Sequence, residues 1–328
     1  MKNDNIKKIR WGIIGLGNIA AKFATDLAKL ENVTLVAVAS RNPHKAAEFA
    51  AQHHSQKAYN SYDELLKDPE VDAVYIATPH SFHKEHTMLC LQNKKAVLCE
   101  KPLAMNASEV LEMIALAKEN NVLLMEALWT AFLPHFIYIV ALVESEKFGK
   151  LKNVDADFGF LREFDNENRL FKKALGGGSL LDIGIYPVFA ALATLGTPNT
   201  IDAKATFFEN GADSSCAMIF HYENAKATLK STLMEETKTE AVFKFDKAIV
   251  KINGQFHEPS TVMVSQNNKE ELINFNYKTI GYNYEAEHFS QLLRENKTES
   301  KIMSFDRSLK IIQTLDKVRE IIGLQYGS

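Results

Sequence analysis

Ile9-Arg10-Trp11-Gly12-Ile13-Ile14-Gly15-Leu16-Gly17-Asn18-Ile19-Ala20 is the stretch on which the fold turns. A short β-rich apolar run, Ile9 to Ile14, ends in a Gly-x-Gly-x-x-Ala turn, and a segment of helical period opens at Asn18. Gly15 permits a tight turn, Gly17 lets a phosphate group approach the backbone, and the small Ala20 lets the helix pack closely on the strand. The free N–H groups and the positive dipole end of that helix then face an anion. Strand, glycine turn and helix in this order read as a dinucleotide site, with Gly15, Gly17, Asn18 and Ile19 as cofactor-binding residues.

Working outward, short β-rich runs alternate with helical segments as far as about Met125, the rhythm of a parallel sheet with helical crossovers. The strands are expected at Ile9 to Ile14, Thr34 to Ala39, Ala58 to Tyr59, Ala73 to Ala77, Ala96 to Cys99 and Val122 to Met125. Helix starts are expected at Asn18, at Ser61 with Glu64 as a capping box, and at Ser81. This is an α/β, doubly wound parallel sheet of the Rossmann type over residues 1–125, with its ligand at the carboxyl ends of the strands. After Glu126 the rhythm changes. Helices are expected at Phe136 to Glu146, Ser179 to Leu195, Asn283 to Glu295 and Phe305 to Ile322. Strands are expected at Leu151 to Phe160, Thr200 to Phe208, Ser215 to Tyr222, Ala225 to Leu233, Thr239 to Phe245 and Ala248 to Ile252. Consecutive strands imply an open mixed or antiparallel sheet in an α+β domain over residues 126–328, for substrate binding and dimerisation. A homodimer or a dimer of dimers is expected.

Composition narrows the function. With 38 Lys+Arg against 41 Asp+Glu, neither sign is strong enough to favour nucleic acid or a membrane surface. The three cysteines, Cys90, Cys99 and Cys216, form no Cys-x-x-Cys pair and read as reduced thiols of a cytoplasmic protein. Met1 to Arg10 is polar and lysine-rich, without the apolar run of an export signal. Leu128 to Val143 stands out as the most apolar segment, interrupted by Thr130, Pro134 and His135, and is expected to be a buried helix.

The second strand ends in Ser40-Arg41, where an NAD site would carry an acidic residue. A serine hydroxyl and a guanidinium suit the 2′-phosphate of NADP, with Lys45 one helical turn further on, so NADP is favoured and NAD remains possible. Thr78, Pro79 and His83 follow the fourth strand, and Glu100, Lys101 and Pro102 follow the fifth, where a nicotinamide would rest. A lysine there can hold a substrate oxygen and stabilise negative charge developing on it. His80, His83 and His86 recur every third residue, yet no cysteine or carboxylate completes a ligand set, so no metal is expected.

Several segments taken together resemble the Gfo/Idh/MocA oxidoreductases, and within them the dihydrodiol dehydrogenase-like branch. They are Gly15 to Ala20, Ala39-Ser40-Arg41-Asn42, Thr78-Pro79 to His83, Glu100-Lys101-Pro102, Gly176 to Pro187 and Gly281 to Phe289, and the likeness runs nearly the whole chain. The resemblance implies an essential Lys101, a cis Lys101-Pro102 bond, and an Asp-x-x-x-Tyr pair at Asp182 and Tyr186, four residues apart on one helix face. In that light Tyr186 is the general acid/base, Lys101 its electrostatic partner and substrate-oxygen donor, and Asp182 an orienting acceptor. Where relatives carry arginine, this chain has Ala131. Trp129 and Phe132 are candidates for an apolar wall over the substrate.

The expected function is NADP(H)-dependent interconversion of an alcohol and a carbonyl on a sugar, polyol or cyclic diol. Two rivals keep the fold: a nucleotide-sensing regulatory protein without turnover, and a glycoside hydrolase that uses NAD in transient oxidation.

Overall fold

The computed structural model describes residues 7–326. Met1 to Ile6, part of the stretch read for an export signal, lie outside the described residues. The chain divides into two compact units, one of residues 1–129 with 278–308 and the other of residues 130–277 with 309–328.

In the first unit the strands are β1 (Ile9–Ile14), β2 (Val33–Ala39), β3 (Lys57–Tyr59), β4 (Ala73–Ile76), β5 (Ala96–Glu100) and β6 (Leu124–Ala127). They form a six-stranded sheet in the order β3-β2-β1-β4-β5-β6, parallel throughout. Strands β4 and β6 are buried along their whole length, which is why β4 reads as a continuous apolar run rather than an alternating one. The crossovers are α1 (Asn18–Leu27), α2 (Pro43–Gln52), α3 (Tyr62–Lys67), α4 (His83–Gln92) and α5 (Ala107–Asn120). Ser61 caps α3 by accepting the Glu64 N–H, as its spacing foretells. The fourth helix differs from expectation: a single 3-10 turn occupies His80–Phe82, and α4 begins at His83 without a side-chain cap.

Strand order reverses between β1 and its two neighbours, and the register aligns the strand ends. Ile14 pairs with Ala39 and with Ile76, Ile76 with Cys99, and Cys99 with Glu126. Gly15, Ser40, Ala77 and Lys101 therefore leave the sheet along one carboxyl edge, with the topological switch point between β1 and β4.

The domain boundary differs from the expected 125/126, because residues 278–308 return to the first unit. Helix α8 (Tyr282–Arg294) buries Tyr282, Glu285, Ala286, Phe289 and Ser290. The Trp11 ring of β1 lies 5.1 Å from that of Phe289, and its indole N–H donates to Ser290 Oγ at 3.3 Å. The buried Asp26 carboxylate of α1 accepts the N–H groups of Ile280, Gly281 and Tyr282 at 3.1, 2.7 and 3.0 Å, which satisfies the amino end of α8. Helical periodicity shows that α8 has a buried face but not which sheet covers it.

The second unit contains α6 (Pro134–Glu144), β7 (Leu151–Gly159), a π turn at Leu180–Gly184 that leads into α7 (Ile185–Leu195), and seven further strands. These are β8 (Thr200–Phe207), β9 (Asp213–His221), β10 (Lys226–Thr232), β11 (Ala241–Phe245), β12 (Ile249–Ile252), β13 (Val262–Gln266) and β14 (Lys269–Ile273). Helix α9 (Phe305–Ile322) has Leu309 onward in this unit. The eight strands run in the order β14-β13-β12-β11-β7-β10-β9-β8. Only the β7–β10 pair is parallel, so the sheet is mixed as expected. The β13–β14 hairpin was not read from the sequence. Its turn, Asn267-Asn268, has positive φ at both residues, the geometry of a two-residue hairpin. Strand β14 is exposed along most of its length, so it lacks the apolar alternation that marks a strand. The stretch Lys173–Leu195, rather than 128–143, is long and apolar enough to cross a membrane by length and composition, and 78% of its apolar 18-residue window is buried, as in a core helix.

Candidate active site

In the first unit, the chemistry-bearing residues line the carboxyl edge. Gly15 has φ +82°, and a Cβ there would lie 2.5 Å from the backbone of Ala77 and Thr78, so no side chain fits. A Cβ on Gly17 would meet nothing within 4 Å, and the residue is exposed. Among the described residues no side chain caps the amino end of α1, and its first turn carries no acidic residue. The open approach, the free N–H groups and the dipole fit a dinucleotide pyrophosphate.

Ser40 Oγ accepts the Asn42 N–H at 3.1 Å, and Asn42 Oδ1 in turn accepts the Lys45 N–H at 3.2 Å. These bonds shape the turn from which the exposed Arg41 and Lys45 project. Beside Arg41 is an aromatic group that the sequence reading missed. Tyr62 sits edge-on to His86 at 4.8 Å, Phe82 stacks on His86 at 5.7 Å, and the Arg41 charge is felt by both Tyr62 and His86. Thr78 Oγ1 lies 3.0 Å from His86 Nδ1.

His83 is fully buried, with Nδ1 2.8 Å from Pro102 O and Nε2 2.9 Å from Thr78 O. Burial pushes its imidazole down to about 4, against the two carbonyls that favour protonation. His83 thus braces the turns after β4 and β5 from beneath, and its ring is engaged by backbone rather than turned outward. Among the described residues no group of His, Cys, Asp and Glu could hold a metal ion.

The Glu100-Lys101-Pro102 turn is held from two sides. Tyr75 OH donates to Glu100 Oε1, and Glu100 Oε2 accepts the Lys101 N–H at 3.2 Å. Burial, with Glu100 as the next cause, pushes the Tyr75 phenol well up, so it stays a donor. The Lys101-Pro102 bond is cis, as the resemblance implies. Just beyond it, the Leu103 N–H donates to the buried Glu126 Oε1 at 2.9 Å. Glu285 is fully buried in α8, and neither of its carboxyl oxygens has a hydrogen-bond partner among the described residues. Burial, then Glu100, pushes its carboxyl well above the usual range. The Trp129 ring is buried and stacked on Tyr282 at 4.3 Å, and Phe132 is buried as well.

Burial also pushes the Glu126 carboxyl up to about 7, against the Ser308 hydroxyl and the Leu103 amide, which favour the anion. A carboxyl raised in the folded state contributes stability below the unfolded value, near 4.5, that is lost as pH rises through the folded value, near 7. Glu126→Gln keeps an acceptor for Leu103 and cannot ionise. Its stability relative to the parent should therefore grow by about 2–3 kcal/mol between pH 5 and 8 in urea unfolding. A difference independent of pH would show that Glu126 is ionised throughout.

In the second unit, Tyr186 lies in the first turn of α7 and is 6% exposed. Its ring packs at 5.8 Å from Phe158 and 4.9 Å from His257. Asp182 lies in the π turn rather than in a regular α-helix, so the expected four-residue face is set on a wider turn. The Arg169 guanidinium donates to Asp182 Oδ1 from both terminal nitrogens at 3.2 Å. Arg169 comes from the irregular segment after β7, where no periodicity marks it, and sequence reasoning missed it, as it did Glu126, Glu285 and His257.

The structure brings Gly15, Gly17, Ser40, Thr78, Glu100 and Lys101 to one sheet edge, and Asp182 and Tyr186 to one helical segment of the other unit. Fold and edge define a dinucleotide-binding oxidoreductase. The chain belongs to the Gfo/Idh/MocA family: residues 9–128 match the oxidoreductase family with NAD-binding Rossmann fold, and residues 136–251 match the GFO/IDH/MocA C-terminal domain. It is 38% identical to trans-1,2-dihydrobenzene-1,2-diol dehydrogenase of Xenopus tropicalis, over 97% of this chain and 99% of the relative. It is 33% identical to the scyllo-inositol 2-dehydrogenase (NADP(+)) of Bacillus subtilis (strain 168), over 97% and 98% of the two chains. Among solved structures, the aldose-aldose oxidoreductase of Caulobacter crescentus, complexed with glycerol, shares the fold with a TM-score of 0.88 at 24% identity, over 96% of this chain and 97% of that one.

Proposed function

We propose that the protein is an NADP(H)-dependent dehydrogenase that interconverts an alcohol and a carbonyl on a sugar, polyol or cyclic diol. The observation that carries this reading is the row of Gly15, Ser40-Arg41, Thr78 and Lys101 along one carboxyl edge of a parallel sheet. The named activities of the two relatives, on a cyclic diol and an inositol, support the substrate class. Serine and arginine at the end of β2, with no carboxylate between β2 and α2, support NADP over NAD.

The first turn of α1 binds the pyrophosphate, and Arg41 binds the 2′-phosphate, with Lys45 as a second cation. When bound, NADPH would supply a hydride and NADP+ would accept one. The Lys101 ammonium holds the substrate oxygen and stabilises its developing charge. Tyr186, in the second unit, serves as the general acid/base. Asp182, fixed by Arg169, accepts a neighbouring substrate hydroxyl and orients the ring.

The proposal extends to a homodimer formed through the open face of the eight-stranded sheet. Val242, Lys251, Met263 and Leu272 are directly paired across four strands of one face, and Leu272 is 57% exposed. The three buried, unpaired cysteines support a cytoplasmic setting.

Initial rates with trans-1,2-dihydrobenzene-1,2-diol, scyllo-inositol and aldoses, with NADP+ and NAD+ in parallel, test the reading. Arg41→Ser should raise KM for NADP+ by about 10–100-fold and leave KM for NAD+ within about threefold, because only the 2′-phosphate loses a charge-assisted partner. An unchanged KM for NADP+ would remove Arg41 from the site.

A further inference from the structure

We propose that Asp213 is a positioning residue for Tyr186, holding the first turn of the helical segment that carries Asp182 and Tyr186. The inference rests on the reading of Tyr186 as acid/base and adds to it the group that sets its place. Asp213 begins β9 and is fully buried. Its Oδ2 accepts the Ser179 hydroxyl and the Leu180 N–H, both at 2.7 Å, and so takes up two donors where the π turn starts.

The Ser179 hydroxyl spends its proton on Asp213, so in its 3.1 Å contact with Ser231 Oγ on β10 it accepts. Ser231 also lies beneath the far end of the same turn, where a Cβ on Gly184 would come within 2.9 Å of its hydroxyl oxygen. The buried chain Asp213–Ser179–Ser231 therefore ties the start of Leu180–Gly184 to two adjacent strands of the sheet, and Ser231 packs closely beneath its far end.

Gly178 shows how close this fit is. Its φ is +124°, and a Cβ would lie 2.1 Å from Asp213 Oδ1, so the glycine before Ser179 is required by the carboxylate opposite it. A π turn carries one more residue per hydrogen-bonded ring than an α turn, so the direction in which Asp182 and Tyr186 leave it depends on how its ends are pinned. Without the carboxylate, the turn is free to relax toward regular α geometry and rotate both side chains.

The test combines Asp213→Ala, Ser179→Ala and Tyr186→Phe, singly and as the double variants with Tyr186→Phe. Turnover is measured with NADP+ and trans-1,2-dihydrobenzene-1,2-diol or scyllo-inositol, whichever the protein oxidises faster, and amide hydrogen exchange is followed over residues 179–195. Asp213→Ala should lower kcat by about 30-fold and Ser179→Ala by about fivefold, with KM for NADP+ within about threefold of the parent. Exchange should quicken by about tenfold or more in peptides covering 179–186 and stay unchanged in β1 and β4.

On the Tyr186→Phe background, Asp213→Ala should cost no more than about threefold further turnover, since of the two side chains only Asp182 is left to position. Multiplicative losses in the double variant, or unchanged exchange over 179–186 in both single variants, would overturn the inference. Failure of the acid/base reading shows itself separately, as full turnover of Tyr186→Phe alone. Ser179→Ala keeps the buried carboxylate and its Leu180 bond, so it reports on the same linkage if Asp213→Ala does not fold.

Discussion

Tyr186→Phe is expected to lower kcat by about 10^3-fold while the dissociation constant of NADP+ stays within about threefold. The substitution removes one hydroxyl and leaves a ring of the same shape. That ring packs against Phe158 and His257 inside the second unit, and these contacts do not involve the phenol proton. Dinucleotide binding belongs to the first unit, where α1 and the turn after β2 are untouched. The loss should therefore fall on kcat, as it does when a group acts only in the transition state. Single-turnover reduction of NADP+ with saturating diol or inositol, read at the nicotinamide absorbance, measures it directly. Turnover within about fivefold of the parent would mean that the proton leaves by another group, and His257, whose ring lies 4.9 Å from that of Tyr186, would then be the candidate to substitute next.

The parts of this fold that were legible in the sequence are those in which local and long-range requirements coincide. The turn Gly15 to Ala20 is one, because the tight backbone, the anion site and the close helix packing each demand a small residue at a fixed offset. The strand-end residues Ser40, Thr78 and Lys101 were legible for the same reason: once the parallel sheet is assigned, its carboxyl edge is known. The legibility stops where a residue's role depends on what folds against it from afar. Glu126 reads as a polar residue at the end of a strand, and only the return of Leu103 to its carboxylate reveals its task. Helix α8 shows its buried face through Tyr282, Ala286 and Phe289, but its docking on β1 depends on Asp26, more than 250 residues earlier. Arg169 lies in an irregular segment with no period to betray it, and β14 is too exposed to alternate.

Lys101→Met is expected to reduce kcat by about 10^2–10^3-fold, near 3–4 kcal/mol of transition-state stabilisation. Methionine is unbranched and only one heavy atom shorter than lysine, and it fills the same path with an apolar thioether, so the change mainly removes the ammonium. The turn beneath it should not move. Its Lys101 N–H is fixed by Glu100, Glu100 by Tyr75, and Leu103 by Glu126, and none of these bonds uses the lysine side chain. Unfolding by urea should therefore shift little, whereas oxidation of the diol or inositol should nearly cease. Lys101→Arg is a sharper probe than its conserved charge suggests. A guanidinium is planar and larger, and it offers a fork of donors in place of one compact ammonium, so it should recover no more than about a tenth of the parent rate. Substrate KM should rise in Lys101→Met, because the same ammonium holds the oxygen in the ground state, and the NADP+ dissociation constant should stay level. If kcat were preserved and only the NADP+ dissociation constant weakened, Lys101 would be a cofactor contact. The charge that develops on the substrate oxygen would then have to be met by another donor.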